Sequence, residues 1–321
     1  MTIYVIDDFP DVWPVDDCFE LGYYCDSFIT EIPQEAFGHP CLKSLIINEC
    51  RLTTFPKDIG KLEHLEYLEC YLNDIDSIPT NFAELSNLQA LSLEYNCLRD
   101  LPDSFANLNK LLYLDLSKND FEHFPECLNK MKSLRVLNLC FTKIQSAFIK
   151  NSQTLVNLYL MANQLTQFIL EGLNHLRYLA LSSNKLTQFI VKERHNELIH
   201  LDLSNNLLEN FPVGIALLPN LQTLKIGGNK IKASIEAQKN LKKLKHLQAD
   251  FDAINVESLK YMESLDKVSL VIEARHAEAR KKHIENNRAV PLVNYINLED
   301  QKKLKNLEDH FPSLCFQLDE Y

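Results

Sequence analysis

Apolar residues recur along most of the chain with a spacing that neither one helix nor one strand would produce. In each copy of the pattern, an apolar residue stands at the first, fourth, sixth and eleventh positions and asparagine at the ninth, as in Leu88, Leu91, Leu93, Leu98 and Asn96. Copies start at Leu42, Leu65, Leu88, Leu111, Leu134, Leu155, Leu176, Leu198, Leu221 and Leu244. Successive starts lie 21 to 23 residues apart. A period of this length predicts a solenoid, in which each coil buries its leucines against the neighbouring coils.

The first six positions of each copy predict a short strand whose leucines point inward and whose intervening residues face outward. Stacked strands of this kind form a parallel sheet. The asparagine follows the strand, where its amide can bond backbone groups of adjacent coils that would otherwise be buried without partners. The asparagines of this column are Asn73, Asn96, Asn119, Asn163, Asn184, Asn206 and Asn229. Cys50, Thr142 and Asp252 take the same position in three further copies.

The segment behind the strand contains proline in many copies, followed by apolar residues three positions apart. The prolines are Pro56, Pro79, Pro102, Pro125 and Pro212. This spacing predicts a short helix or helical turn that the proline opens. Two consecutive copies, at Leu165–Ile169 and Leu186–Ile190, lack the proline and share almost the same letters. We expect these two segments to be extended.

These features resemble the repeats of the leucine-rich repeat family, and the resemblance covers residues 19–272. The resemblance implies an α/β fold: a leucine-rich repeat solenoid, or horseshoe, with a parallel β-sheet on the concave face and short helices or extended segments on the convex face. The repeat region would hold about 12 coils. Residues 1–18 are expected to form an N-terminal cap. Residues 273–321 are expected to form a C-terminal cap, helical with a possible final strand.

The charge of the chain is unevenly distributed. The net charge is −11, and residues 1–42 contain six Asp and three Glu without any Lys or Arg. Such an acidic end repels nucleic acid and anionic lipid and attracts basic surfaces, so we expect a protein partner with a basic surface and no nucleic-acid or membrane partner. The alternative is a solvated cap that serves only solubility.

Cysteine usage and the start of the chain favour the cytoplasm. The nine cysteines are an odd number without C-x-x-C spacing, and no N-x-[ST] acceptor occurs. Residues 1–10 lack the basic start and apolar stretch of a signal peptide. Pairing among Cys18, Cys25 and Cys41 stays open, as does export of the chain as an effector.

Residue patterns for catalysis are absent from the sequence. No phosphate loop, dinucleotide fingerprint, nucleophile elbow or H-E-x-x-H occurs. The spacing of His195 and His200 does not place both rings on one helical face, and Asp250 with Asp252 gives too few oxygen ligands for a cation. Bacterial leucine-rich repeat ubiquitin ligases carry a large catalytic domain after the repeats, for which residues 273–321 are too short. We therefore expect no enzyme activity, no cofactor and no metal.

The outward positions of the predicted strands are rich in tyrosine and carboxylates. Tyrosine offers a large contact area at low entropic cost, although it also favours strands in general. The resulting candidates for partner binding are Tyr67, Glu69, Tyr71, Glu94, Tyr95, Tyr113, Asp115, Phe141, Tyr159, Met161 and Tyr178. From Leu198 onward the same positions become more polar.

The leading hypothesis is a non-enzymatic module that binds a partner protein on this aromatic and acidic concave face. One alternative is an inhibitor or immunity-type protein that blocks a basic enzyme, by resemblance to ribonuclease inhibitor, which is also acidic. Another is a secreted bacterial leucine-rich repeat effector. The sequence leaves the oligomeric state open.

Overall fold

The computed structural model describes residues 19–24, 29–32, 34–38, 41–150, 152–232, 241–250, 253–254, 262–272 and 315–320, together with residues 259, 302 and 305. The predicted N-terminal cap, most of the predicted C-terminal cap, Cys18, Cys25 and Asp252 lie outside these residues. The chain forms two compact units, Met1–Gln164 and Leu165–Tyr321. Each unit is described by itself.

The first unit is built on a parallel sheet of one strand per coil. Its strands are β1 (Phe19–Tyr24), β2 (Leu42–Asn48), β3 (Tyr67–Glu69), β4 (Ala90–Ser92), β5 (Tyr113–Asp115), β6 (Val136–Asn138) and β7 (Asn157–Tyr159). Each strand pairs in parallel with the next one along the chain. Residues at the same position of the repeat lie opposite each other, so that Leu68 faces Leu91 and Leu91 faces Leu114. The repeat period therefore sets the register, with an offset of 23 residues from β2 to β6 and of 21 residues between β6 and β7.

The core of the first unit lies between this sheet and a row of short helices behind it. The helices are α1 (Gln34–Phe37) and the 3₁₀ helices Ile59–Lys61, Thr80–Glu84, Asp103–Asn107 and Glu126–Lys130. Pro79, Pro102 and Pro125 are extended and directly precede the last three. Proline at the start of a helical turn loses no hydrogen bond, because the first N–H groups of a helix have no partner within it. The helical turns predicted from the prolines are thus confirmed.

Phenylalanines of successive coils pack in a row between the helices and the sheet. The ring centroids of Phe55 and Phe82 are 4.8 Å apart, and those of Phe82 and Phe105 are 6.1 Å apart. Phe82 and Phe105 are fully buried. Each ring therefore packs against the ring of the neighbouring coil, and these contacts stabilise the stack of coils in this unit.

The second unit contains two parallel sheets. Its strands are β8 (Gln167–Leu170), β9 (Tyr178–Ala180), β10 (Gln188–Val191), β11 (His200–Asp202), β12 (Thr223–Lys225), β13 (His246–Asp250), β14 (Lys267–Ile272) and β15 (Cys315–Glu320). The larger sheet runs from β9 through β11 to β15, with neighbours in that order paired in parallel. A 3₁₀ helix, Ile215–Leu217, lies between β11 and β12 in the chain.

The second sheet of this unit consists of β8 and β10, the two segments without proline. Both read Gln-Phe-Ile and alternate between exposed and buried positions, as strands do. Phe168 and Phe189 stack with their ring centroids 6.0 Å apart. The prediction that these segments are extended is confirmed.

The asparagine column works as predicted in both units. Asn96 accepts a hydrogen bond from the N–H of Ile75 at 3.0 Å and donates one to the carbonyl of Cys70 at 2.8 Å. Asn206 does the same for Leu186 and Leu181, both at 3.0 Å. These bonds give partners to buried backbone groups, each of which would otherwise cost about 1–3 kcal/mol. Among the described helices, none is long and apolar enough to cross a membrane.

Candidate functional site

The outer face of the first unit's sheet consists of the residues that alternate with the buried leucines. In β3, Leu68 is fully buried while Tyr67 and Glu69 are partly exposed. This alternation follows from the two-residue period of a strand. Tyr71, Glu94 and Tyr95 lie two or three residues past the ends of β3 and β4, where the rings of Tyr71 and Tyr95 are in contact.

Large and small side chains alternate across this outer face. Tyr67 lies opposite Ala90, and Ala90 lies opposite Tyr113. Ala90 and its strand neighbour Ser92 are buried although they belong to the outer positions. Small residues at these outer positions are thus buried between strands that carry larger ones.

Glu69 is held by its neighbours within the face. Its carboxylate accepts hydrogen bonds from the hydroxyl of Tyr67 and from the amide of Asn48. The oxygen of the Asn48 amide in turn accepts from the N–H of Tyr71 at 2.8 Å. The charge of Glu69 is thus largely satisfied by groups of this chain.

Tyr71, Glu94, Tyr95 and Lys118 form a second group, called the Lys118 cluster below. The rings of Tyr71 and Tyr95 meet edge to face with centroids 6.3 Å apart. Lys118 Nζ lies 5.3 Å from the centroid of the Tyr95 ring and 2.9 Å from a carboxylate oxygen of Glu94. The hydrogen bond to Glu94 raises the pKa of Lys118, and the Glu94 charge and both phenol groups act in the same direction. The cluster is an aromatic and acidic site that holds an ammonium group.

Tyr95, Lys118 and Phe141 occupy the same strained backbone position in successive coils. Their φ angles are 59°, 54° and 55°, in the left-handed region, and each directly precedes a residue of the asparagine column. A left-handed conformation costs a residue with a side chain about 1–2 kcal/mol. Tyr95 and Phe141 are nevertheless 47% and 50% exposed. The equivalent position of the second unit holds Ser183, Asn205 and Gly228, of which Asn205 and Gly228 adopt this conformation at lower cost.

Asp115 differs from the expectation of an exposed acidic residue, because it is only 6% exposed. One carboxylate oxygen accepts from the hydroxyl and the N–H of Ser117 at 2.6 and 2.8 Å, and the other accepts from the Asn138 amide at 2.8 Å. Burial raises the pKa of Asp115 from 3.8 to about 6, although the hydrogen bonds act in the opposite direction. These hydrogen bonds hold the buried carboxylate within the sheet face, so a partner has little access to its charge.

The other candidates of the first unit differ in exposure. Tyr67, Tyr71, Tyr113 and Tyr159 are half-buried, while Met161 is buried. The aromatic face, as the name is used below, therefore consists of six side chains: Tyr67, Tyr71, Tyr95, Tyr113, Phe141 and Tyr159. Glu69 and Glu94 lie among them.

Tyr178 belongs to the second unit, on the outer positions of β9. Its ring stacks on His200 with centroids 5.8 Å apart. Burial lowers the pKa of His200, while the neighbouring Asp202 raises it and Lys225 lowers it. Asp202 is itself buried and accepts from the hydroxyl of Ser204 at 2.6 Å. This part of the face is more polar than the aromatic face.

Part of the chain matches a known protein family. Residues 36–168 match the family model described as a leucine-rich repeat region. The chain therefore contains a leucine-rich repeat region. The α/β solenoid with its parallel sheet, expected from the resemblance, is the fold of the family and is confirmed. No curated protein matches the sequence.

Solved structures of leucine-rich repeat proteins are similar in fold to this one. A leucine-rich repeat protein of Leptospira interrogans has a TM-score of 0.58 at 24% identity, with 81% of each chain covered. An internalin of Listeria monocytogenes has a TM-score of 0.51 at 17% identity, covering 74% of this chain and 70% of that one. The functional domain of internalin J from Listeria monocytogenes has a TM-score of 0.59 at 18% identity, covering 78% and 59%. At these identities the likeness concerns the fold alone.

Four of the cysteines that the structure describes are buried, namely Cys50, Cys70, Cys127 and Cys140. Burial raises the pKa of Cys127 to about 11, and it raises the pKa values of Cys70 and Cys140 still further. Such thiols stay protonated and unreactive at neutral pH. Cys41 is an exposed free thiol. In the part of the chain that the structure describes, no group of three His, Cys, Asp or Glu side chains could hold a metal ion.

Sequence reasoning missed Lys118, although a signal for it was present. Lys118 stands 23 residues after Tyr95, at the same position of the next coil. Aligning the repeats and comparing residues at the same repeat position would have predicted that the two side chains are neighbours. The ion pair with Glu94 required the structure, because a long side chain can turn in several directions.

Proposed function

We propose that this leucine-rich repeat protein is a non-enzymatic interaction module that binds a partner protein on the aromatic face of its first unit. Leucine-rich repeat proteins typically present such sheet surfaces to protein partners. The observation that carries the proposal is the pair Tyr95 and Phe141, two large aromatic side chains that stay about half exposed at strained positions.

The strain at these positions is the first support. Asparagine or glycine would be more stable there, as Asn205 and Gly228 are in the second unit. Two bulky aromatic residues lower the stability of the coil and expose apolar surface to water. The left-handed backbone recurs in each coil from Glu49 to Gly228, so binding explains the large exposed aromatic side chains at two of these positions and not the backbone conformation itself.

The rigidity of the face is the second support. The backbone of Tyr95 and Phe141 is hydrogen-bonded to the next coil: the N–H of Tyr95 donates to the carbonyl of Ser117, and the N–H of Phe141 donates to the carbonyl of Met161. A partner that binds here would not have to order a loop. Preorganised side chains of this type lose little entropy on binding.

Charge is the third support, and it concerns the type of partner. Glu69 and Glu94 lie within the aromatic face, and the chain as a whole carries a net charge of −11. A partner with a basic surface would be attracted by this field and would find aromatic contacts at the centre.

The test is site-specific photo-crosslinking in the cells that naturally produce the protein. Phe141 is replaced by p-benzoylphenylalanine, which keeps an aromatic side chain at this position. The matched control carries the same group in place of Phe148, which is 58% exposed but lies behind the sheet, outside the aromatic face. We expect one cross-linked partner from position 141 and none from position 148.

The captured partner is then purified and its affinity measured for the wild type and for Tyr95→Ala and Tyr113→Ala. Loss of either ring should weaken binding by about 1–3 kcal/mol, as is common for aromatic residues in interfaces. Equal cross-linking from both positions, or unchanged affinity in both alanine variants, would contradict the proposal.

A further inference from the structure

The Lys118 cluster already contains a bound cation, which is a side chain of the protein itself. The ammonium of Lys118 lies over the Tyr95 ring at 5.3 Å and pairs with Glu94 at 2.9 Å. Tyr71 contacts the Tyr95 ring edge to face, with centroids 6.3 Å apart. An aromatic ring and a carboxylate around one ammonium are the elements of a cation-binding site.

Lys118 is held weakly in this site. Its side chain is 40% exposed and that of Glu94 is 28% exposed, so water screens the pair. The backbone of Lys118 is also strained, with φ at 54°. Exposed ion pairs on long side chains gain little net stability, because ordering the side chain opposes the attraction. Lys118 can therefore leave the site at little cost when another cation replaces it.

We propose that the Lys118 cluster is the recognition site for a lysine or arginine side chain of the partner protein, and that Lys118 occupies it in the free protein as an internal substitute. The proposal deepens the proposed function and rests on it. The partner's cation enters against the Tyr95 ring and Glu94, while Lys118 turns out to solvent.

The occupant must be cationic because of what surrounds the site. Glu69 is satisfied by Tyr67 and Asn48, whereas Glu94 has its charge partner in Lys118. A neutral group that displaced Lys118 would leave the Glu94 carboxylate without a countercharge beside two rings. Among the left-handed residues that the structure describes in the first unit, only Lys118 carries a positive charge.

The column of left-handed residues supplies the variant for the test. Lys118→Asn removes the internal cation and puts at position 118 the residue type that the second unit uses at Asn205. Lys118→Gly is a second variant with the same backbone freedom. The matched control is Lys143→Asn, which removes a lysine paired with Asp120 at 2.6 Å and located elsewhere on the coil.

The probe is N-acetyl-arginine amide, compared with N-acetyl-citrulline amide, which has nearly the same shape without the charge. NMR titration follows the ring signals of Tyr71 and Tyr95 in the full-length protein. We expect Lys118→Asn and Lys118→Gly to bind the arginine compound at least about 5-fold more tightly than the wild type. We expect Lys143→Asn to match the wild type and the citrulline compound to gain nothing. Adding Glu94→Gln to Lys118→Asn should remove the gain.

Equal arginine affinity in Lys118→Asn and Lys143→Asn would overturn the proposal, and so would an equal gain for citrulline. Thermal melting of each variant shows whether it is folded. A cross-linked partner at position 141 without any arginine gain would overturn the cation site alone. An arginine gain without any cross-linked partner would support the cation site and contradict the interaction module.

Discussion

Buried polar residues in this protein differ in how fully their neighbours satisfy them. The oxygen and the nitrogen of the Asn96 side-chain amide both have backbone partners, and both carboxylate oxygens of Asp115 accept hydrogen bonds. One carboxylate oxygen of Asp202 accepts from Ser204, as one oxygen of Asp115 does from Ser117. The other oxygen of Asp202 lies 3.8 Å from Lys225 Nζ. Lys225 is opposite Asp202 in the sheet, as Asn138 is opposite Asp115. The two coils therefore place an identical Asp-Leu-Ser segment in different electrostatic surroundings.

Asp115 should make the stability of the protein depend on pH. Burial raises its pKa from 3.8 to about 6, so between these values the folded protein binds more protons than the unfolded chain. Its contribution to stability is therefore present below pH 3.8 and is lost as the pH rises through 6, by about 3 kcal/mol in total.

The variant Asp115→Asn lacks this titration. Its free energy of unfolding, measured by urea denaturation, should rise relative to wild type between pH 4.5 and pH 7. Asp103→Asn is the control, because the side chain of Asp103 is 89% exposed. A difference between Asp115→Asn and wild type that stays constant over this range would show that Asp115 keeps an ordinary pKa.

Two substitutions of Tyr95 separate backbone strain from ring contacts. Tyr95→Asn and Tyr95→Ala both remove the ring, but asparagine tolerates the left-handed conformation better than alanine. The asparagine variant should be more stable than the alanine variant by about 1 kcal/mol in urea denaturation. Both variants should lose affinity for the partner. Equal stability of the two would show that the position is not strained.

The sequence predicted the coils and the asparagine column because both depend on residue type at fixed spacing. It did not predict the burial of Asp115, which depends on Asn138 in the next coil, or the pairing of Lys118 with Glu94. These contacts join side chains of neighbouring coils, and their geometry depends on side-chain rotamers that spacing does not determine. Reading exposure from position alone therefore worked for Tyr95 and failed for Asp115 and Met161.

At the scale of elements, the identity of two or three residues in each coil determines whether the segment behind the sheet forms a helix or a strand. Proline with apolar residues three apart gives a 3₁₀ helix, as in Pro79, Phe82 and Leu85, because that helix has three residues per turn. Gln-Phe-Ile without proline gives β8 and β10. The sequence predicted that these segments are extended. Their pairing into a second sheet follows from the 21-residue offset between them, which places identical residues opposite each other.

The phenylalanine row makes each element depend on its neighbours. Phe82 is fully buried and contacts the rings of Phe55 and Phe105. Phe82→Ala should lower the free energy of unfolding by about 3–5 kcal/mol, because the cavity spans two coil interfaces. Phe148→Ala, at an exposed site, should change it by less than about 1 kcal/mol. A small effect at Phe82, measured by urea denaturation, would mean that the row does not stabilise the unit.

At the scale of the whole molecule, the acidic charge of the chain should control how fast a partner binds. Residues 1–42 carry nine of the carboxylates without a compensating Lys or Arg. Association with a basic partner should slow by about 10-fold or more between low and physiological salt, while dissociation changes less. Stopped-flow measurements at several salt concentrations give both rates. An association rate independent of salt would rule out electrostatic steering, and the aromatic contacts alone would then account for binding.

The left-handed column has a consequence for how binding specificity could change. Neighbouring positions of the column are about 4.8 Å apart, the distance between strands, and their backbone is bonded independently of the side chain. Glu49, Leu72, Tyr95, Lys118, Phe141 and Ala162 already show that acidic, aliphatic, aromatic, basic and small groups are tolerated there. Randomising these six codons while leaving every leucine and asparagine untouched should yield folded proteins with altered preferences, so mutation could redirect the protein to new targets one coil at a time.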